Sequence, residues 1–251
     1  MPYYQFLGKK IFYKFKNNNS NRLLVFIHGS GGTSDVWDEQ LTISDEIDVA
    51  AVDLPSHGKS DTFQNLNLNL YVDAIHSLIE ELRHHEVILA GHSLGGAIIQ
   101  EFYFKYPDKV NKLILIGTGG RLRVLPTIFE NLKNNFQEFL NSLPAGAFYH
   151  KTSSSIIKGY LEKISDVDPN VIYQDFKICD NFDRLQDVES IKIPCLIVCG
   201  KADKLTPVKY STYFDEKIER SKLVVIEKAG HMVMLEKPGE LNRVITEFIH
   251  M

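Results

Sequence analysis

The sequence predicts an α/β fold: a mostly parallel central sheet flanked by helices, with a helical insertion in the second half of the chain. Three observations carry this. Six short runs rich in Val, Ile and Leu are apolar throughout rather than alternating, as strands buried on both faces must be. Longer helical patterns separate them, the arrangement that covers both faces of a parallel sheet. The rhythm then breaks between Gly120 and Asp187, where helical patterns follow one another without a strand-like run.

The elements follow in order. FLGKKIFYKFKN (6–17) alternates apolar and polar residues, which predicts an antiparallel hairpin at the sheet edge, and NNNS (17–20) reads as a hairpin turn. LLVFIHG (23–29) and DVAAVDLP (48–55) are strands. Between Leu66 and Leu82, Leu70, Ala74, Leu78 and Leu82 form one apolar stripe at helical spacing. EVILAGHS (86–93) is a strand entering a turn, and LGGAIIQEFYFKYP (94–107) is a helix stopped near Pro107. KLILIG (112–117), PCLIVCG (194–200) and KLVVIE (222–227) complete the strands, with PVKYSTYFDEKIER and GELNRVITEFIH as helices. The division expected is a core of residues 1–120 and 188–251 and a helical cap of residues 121–187. The cap's ends must lie close together, since it is inserted between two strands of one sheet. Its aromatics, Phe129, Phe136, Phe139, Phe148, Tyr149, Tyr160 and Tyr173, form its own small core, and some of them face the cleft as an apolar roof. With its chemistry elsewhere, the core is expected to turn over small esters even without the cap.

A chain of 251 residues buries roughly 70–75% of its unfolded surface, so its core needs neither disulfide nor metal. A net charge of −4 offers no general attraction to nucleic acid or an anionic membrane. The longest unbroken apolar runs, Leu23–Ile27 and Cys195–Cys199, hold five residues each, against about 20 for a membrane span. The first ten residues carry no secretory h-region. Cys195 and Cys199 share one strand about 13 Å apart, too far to bridge, so reduced thiols and a cytoplasmic location are expected.

The chemistry centres on Gly91-His92-Ser93-Leu94-Gly95-Gly96, which contains G-x-S-x-G between a strand and a helix. A serine there sits on a tight turn that projects its Oγ beyond the strand's C-terminal end, and glycines two residues before and after leave room for the backbone. The following helix directs its positive end at developing negative charge. With this context the chain resembles the α/β-hydrolase superfamily over nearly its whole length. His28-Gly29-Ser30-Gly31-Gly32 is similar to the oxyanion loop, DLPSHGKS (53–60) to the loop after the next strand, GKADKLTP (200–207) to the acid turn and AGHMVMLEKP (229–238) to the histidine loop, in the family's order. Capped serine esterases, lactonases and C–C-hydrolase-like members are the nearest in pattern.

A serine hydroxyl needs a base, and the base an orienting acid. Of nine histidines, His231 follows the last strand to the sheet edge of Ser93, and the Ser…Asp…His order of the family selects it. His92 should point away from Ser93 Oγ, while His84 and His85 lie at the opposite end of the sheet. Asp203, three residues after Gly200, is the expected acid; Asp183 and Asp187 are weaker candidates at the insertion's hinge. Two N–H groups should hold the oxyanion: Leu94, beside the nucleophile, and, by resemblance, Ser30, with Gly31 as the alternative. His28 and His57 read as structural, and Trp37 suits core or pocket equally. No phosphate-cradling motif, cofactor motif or metal-ligand spacing appears. The expected partner is a small-molecule ester. Two rival readings stand beside this one. Arg121, Arg123 or Arg184 could hold the carboxylate of a diketone whose C–C bond is hydrolysed, or the fold could serve as a ligand sensor with little turnover.

Overall fold

Eight strands form one sheet in the computed structural model, which describes residues 2–251. They are β1 (Tyr3–Phe6), β2 (Lys9–Lys16), β3 (Arg22–Ile27), β4 (Asp48–Val52), β5 (Glu86–His92), β6 (Lys112–Ile116), β7 (Cys195–Gly200) and β8 (Ser221–Ile226). Their order is β1-β2-β4-β3-β5-β6-β7-β8. From β4 to β8 every pairing is parallel, whereas β1 with β2 and β2 with β4 are antiparallel. The uniformly apolar central runs have the cause inferred for them: Leu23 to Ile27 and Val49 to Val52 are 0% exposed, covered on both faces.

The edge hairpin turns at Leu7-Gly8, where both residues have positive φ, as a two-residue turn between right-twisted strands demands. NNNS at 17–20 is not a hairpin turn. β2 pairs with β4 rather than β3, so this stretch crosses the end of β4. The Asn18 side chain donates there to the carbonyls of Ser44 and Ile47, and its N–H donates to Asp48. The physical reason is that β3, apolar on both faces, gains more from two parallel neighbours than from an alternating edge strand.

Helices α1 (Leu68–Leu82), α2 (Leu94–Lys105) and α7 (Val208–Lys217) cover one face of the sheet; α9 (Pro238–Ile249), preceded by the short α8 (Val233–Glu236), covers the other. Asn67 caps α1 by accepting the Leu70 N–H, and Arg83 ends it in the left-handed conformation. Trp37 is core: fully buried and stacked on Phe26 at 4.8 Å. Among the described residues no helix is long and apolar enough to cross a membrane.

Four helices lie between β6 and β7: α3 (Pro126–Asn134), α4 (Phe136–Ala147), α5 (Ser154–Ser165) and α6 (Pro169–Asn181). They share an apolar cluster that includes Leu132, Phe139, Leu140, Leu143 and Val167. The chain enters and leaves this unit at one place, where Arg121 pairs with Asp183 at 2.7 Å and Arg184 N–H donates to Gly120 O at 2.7 Å.

The register positions the site. Ile27 pairs with Val52 and Gly91, His92 with Ile116, Ile116 with Val198, and Gly200 with Ile226. The parallel strands therefore finish side by side, and the loops bearing Ser30, Ser93, Asp203 and His231 all leave from one edge.

Candidate active site

Ser93 links β5 to α2 with φ 54° and ψ −114°, a left-handed conformation that costs a non-glycine residue of order 1–3 kcal/mol. The surroundings impose it. Ser93 N–H donates to Ile116 O at 3.0 Å, and its carbonyl accepts from Thr118 Oγ1 at 2.8 Å and Gly96 N–H at 2.9 Å. A Cβ on Gly91 would lie 2.2 Å from Gly95 O, and one on Gly95 2.3 Å from Ile27 O, so this turn closes only with both glycines.

Asp203 and His231 meet at the same edge, each 5% exposed, with His231 Nδ1 donating to Asp203 Oδ2 at 2.8 Å. Asp203 Oδ1 accepts the Leu205 and Thr206 N–H groups, each at 2.9 Å, and Oδ2 also accepts Thr206 Oγ1–H at 2.8 Å. Burial pushes this carboxyl up, but His231 and the Thr206 donors outweigh it and hold it below its ordinary value. The pair stands beside the serine turn. A Cβ on Gly117 would lie 3.3 Å from His231 Nδ1 and 3.4 Å from Asp203 Oδ2, and the residue before it, Ile116, accepts the Ser93 N–H.

His92 packs against His231 with ring centroids 4.5 Å apart, and its Nε2 donates to His231 O at 3.0 Å. Burial first, then the neighbouring His231, push its pKa well below the usual histidine range. It is a neutral ring that braces the histidine loop.

The Gly29–Ser30 loop is pressed against the serine: a Cβ on Gly29 would lie 3.1 Å from Ser93 Cβ. Ser30 and Leu94 N–H groups find no acceptor among the described residues. Gly31 N–H, the alternative donor, is already engaged with Asp175 at 2.9 Å. His28 donates through Nδ1 to Gly29 O at 2.8 Å and accepts Leu54 N–H at Nε2, and burial lowers its pKa to about 4, a neutral structural ring.

The remaining candidates lie elsewhere. His84 bonds Asp48 at 2.8 Å at the far end of the sheet. Asp183 and Asp187 pair with arginines at the hinge of the insertion. Arg121 and Arg123 both hold Asp183, and Arg184 bridges Glu101 and Asp187, so these three guanidiniums are engaged within the chain. Sequence reasoning missed Thr206 and Glu236. Thr206 sits three residues after the acid, a spacing at which a hydroxyl and its own N–H can both reach back. Glu236 accepts Gly230 N–H at 2.6 Å beside His231, and it also accepts Tyr149 N–H and Thr152 Oγ1–H, joining the insertion to the histidine loop.

Comparison with known proteins bears on the family and the fold. The model of the alpha/beta hydrolase family matches residues 24–244. A thermophilic esterase of known structure is 35% identical, with a TM-score of 0.87 over 99% of this chain and 96% of that one. The esterase EaEST from Exiguobacterium antarcticum shares the fold at 20% identity, with a TM-score of 0.92 over 99% of each chain. The bifunctional esterase/perhydrolase DCH of Acinetobacter calcoaceticus is 26% identical over 266 residues, 96% of each chain.

Proposed function

Since the chain belongs to the alpha/beta hydrolase family, we propose that it is a serine hydrolase cleaving carboxylic esters through an acyl-enzyme. The observation that carries this reading is the buried Asp203–His231 pair, 2.8 Å between Oδ2 and Nδ1, standing beside a serine held at φ 54°. With Nδ1 donating to Asp203, His231 Nε2 is left with a lone pair and serves as general base. Ser93 Oγ attacks the ester carbonyl as His231 takes its proton. Asp203 orients the ring and stabilises the imidazolium. Ser30 and Leu94 N–H groups hold the tetrahedral oxyanion, and the positive end of α2 adds to them. The intermediate collapses, His231 returns the proton to the departing alcohol oxygen, and the acyl group stays on Ser93. Water, deprotonated by His231, then releases the carboxylic acid and restores the serine.

The division proposed is a catalytic core of residues 1–120 and 188–251, with residues 121–187 as the cap. Ile164 and Ile172 of the cap close over Gly31, an apolar surface suited to an acyl chain or a hydrophobic alcohol. A lactone, being a cyclic ester, fits the same machinery. Hydrolysis of a diketone C–C bond is less well supported, because Arg121, Arg123 and Arg184 already have carboxylate partners. Three free, buried thiols favour a reducing compartment, the cytoplasm.

The test is labelling. A fluorophosphonate should add once per chain, at Ser93, with p-nitrophenyl ester turnover lost in step and both abolished in Ser93→Ala. Turnover no faster than that of Ser93→Ala would favour the ligand-sensing reading, and turnover of ring-cleavage diketones without simple esters the C–C reading.

A further inference from the structure

Asp175 lies on α6, within the insertion, and is 0% exposed. Its carboxylate joins three parts of the molecule. Oδ1 accepts Tyr71 O–H from α1 at 2.7 Å. Oδ2 accepts His57 Nε2–H, from the loop after β4, and Gly31 N–H, each at 2.9 Å. The other His57 nitrogen, Nδ1, stands 3.1 Å from Pro55 O. Both ring nitrogens thus face oxygen acceptors, an environment that favours the protonated ring. Burial alone would lower its pKa, but Asp175 outweighs that and the net direction is upward.

The other titratable neighbours supply no competing partner for this pair. His28, 4.9 Å away ring to ring, is neutral. Asp53 is occupied by the N–H groups of Ser34 and Lys59, and burial raises both the Cys179 thiol, to about 12, and the Tyr71 hydroxyl.

The place where this pair acts is telling. Gly31 has φ +65°, and a Cβ there would lie 3.1 Å from Ile172 and 3.2 Å from Ile164, so the insertion packs directly on this turn. On the other side Gly32 N–H donates to Gly29 O at 3.0 Å. Between these two fixed points stands Ser30, whose N–H finds no acceptor among the described residues. That N–H and the one Asp175 holds belong to successive peptide units joined at Ser30 Cα.

We propose that Asp175 is a positioning residue for ester hydrolysis: through Gly31 N–H it fixes the loop that presents Ser30 N–H to the oxyanion. The proposal rests on the ester-hydrolase reading above. It makes the insertion part of the catalytic frame as well as a roof. Because the oxyanion forms only on the way to the tetrahedral intermediate, loss of this anchor weakens transition-state binding and leaves substrate binding nearly unchanged.

The experiment measures p-nitrophenyl acetate turnover per fluorophosphonate-titrated Ser93, so that unfolded protein does not enter the rate. Asp175→Asn should lower kcat by about 10- to 100-fold, somewhat less than removal of an oxyanion donor outright, with KM changed less than about threefold. Affinity for a trifluoromethyl ketone should fall by the same factor as kcat. Leu140→Ala, which opens a cavity in the apolar cluster of the insertion without removing a partner of Asp175, should lose stability and keep kcat. A kcat within about threefold of wild type in Asp175→Asn, or an equal loss in Leu140→Ala, would overturn the proposal. Should Asp175→Asn fail to fold, His57→Gln, which keeps the carboxylate and removes its imidazole partner, must show a fall in kcat at constant KM; an unchanged kcat there overturns it equally. Absence of Ser93-dependent turnover in the wild-type protein would bring down the hydrolase reading itself, a result read before any variant is made.

Discussion

Replacing Asp203 by Asn changes one atom in the site, and the structure determines which way the carboxamide must face. Two backbone donors, Leu205 N–H and Thr206 N–H, converge on Oδ1 at 2.9 Å each. The carboxamide oxygen stays there, because turning the amide round would set an NH2 against two N–H groups. The NH2 therefore occupies the Oδ2 position, 2.8 Å from His231 Nδ1. A donor facing Nδ1 drives the ring proton to Nε2, and a protonated Nε2 cannot accept the serine proton. The variant should fold, with a net stability loss of about 1 kcal/mol for hydrogen bonds weakened rather than removed. Its kcat should fall by about 10⁴, the size of effect seen where the same tautomer is imposed on a serine protease. That corresponds to about 5.4 kcal/mol of barrier at about 1.36 kcal/mol per tenfold. Steady-state hydrolysis of p-nitrophenyl acetate, with a Tm measured alongside, checks both figures. A folded variant that loses less than about tenfold would refute the assignment of Asp203 as the acid, and with it the tautomer argument.

Three further outcomes are expected. Gly95→Ala should destabilise by about 3 kcal/mol or more, because its Cβ would sit 2.3 Å from Ile27 O; a chemical melt within about 1 kcal/mol of wild type would contradict the close approach. His57 has a folded pKa raised above its ordinary 6.5, so its contribution to stability is fully present below about pH 6.5 and is lost as pH rises through the raised value. The Tm gap between wild type and His57→Gln should therefore narrow on the alkaline side, and a gap constant from about pH 6 to about pH 10 would refute the upward direction of its pKa. Arg184→Ala removes half-exposed ion pairs to Glu101 and Asp187 and should cost about 1 kcal/mol while leaving ester kcat/KM within about threefold; a selective rise in KM for a carboxylate-bearing substrate would restore the diketone reading.

Much of this was legible in the residues alone because it is local. Uniformly apolar runs such as Leu23–Ile27 reveal strands covered on both faces, and the glycines around Ser93 mark a turn that admits no side chain at those positions. The paths of Asp203 and His231 follow from the strands that precede them. Asp175 was not legible. It occurs in an amphipathic helix as one polar residue among several, and its partners Gly31, His57 and Tyr71 are more than 100 residues away in the chain. No periodicity encodes such a contact. His57 reads as structural from its turn, but the direction of its pKa depends on a partner that no local pattern reveals. The expectation that small-ester turnover survives deletion of the insertion fails on the same ground if Asp175 acts as proposed, since deletion would leave Gly31 N–H unanchored.

The strand order has a consequence for how the molecule is made. Once β3, β4 and β5 have paired, β6, β7 and β8 each add at one growing edge, in the order in which a ribosome delivers them. A nascent chain can thus complete the serine turn while Asp203 and His231 are still unsynthesised. Until β7 arrives, β6 offers an open row of backbone donors and acceptors, and the insertion with its flanking segments emerges in the interval. Synthesis slowed within that stretch would prolong exposure of the unpaired edge. Chains stopped before β8 would carry the serine turn and Asp203 but lack His231, and would be prone to associate through the strand edge that β8 normally covers.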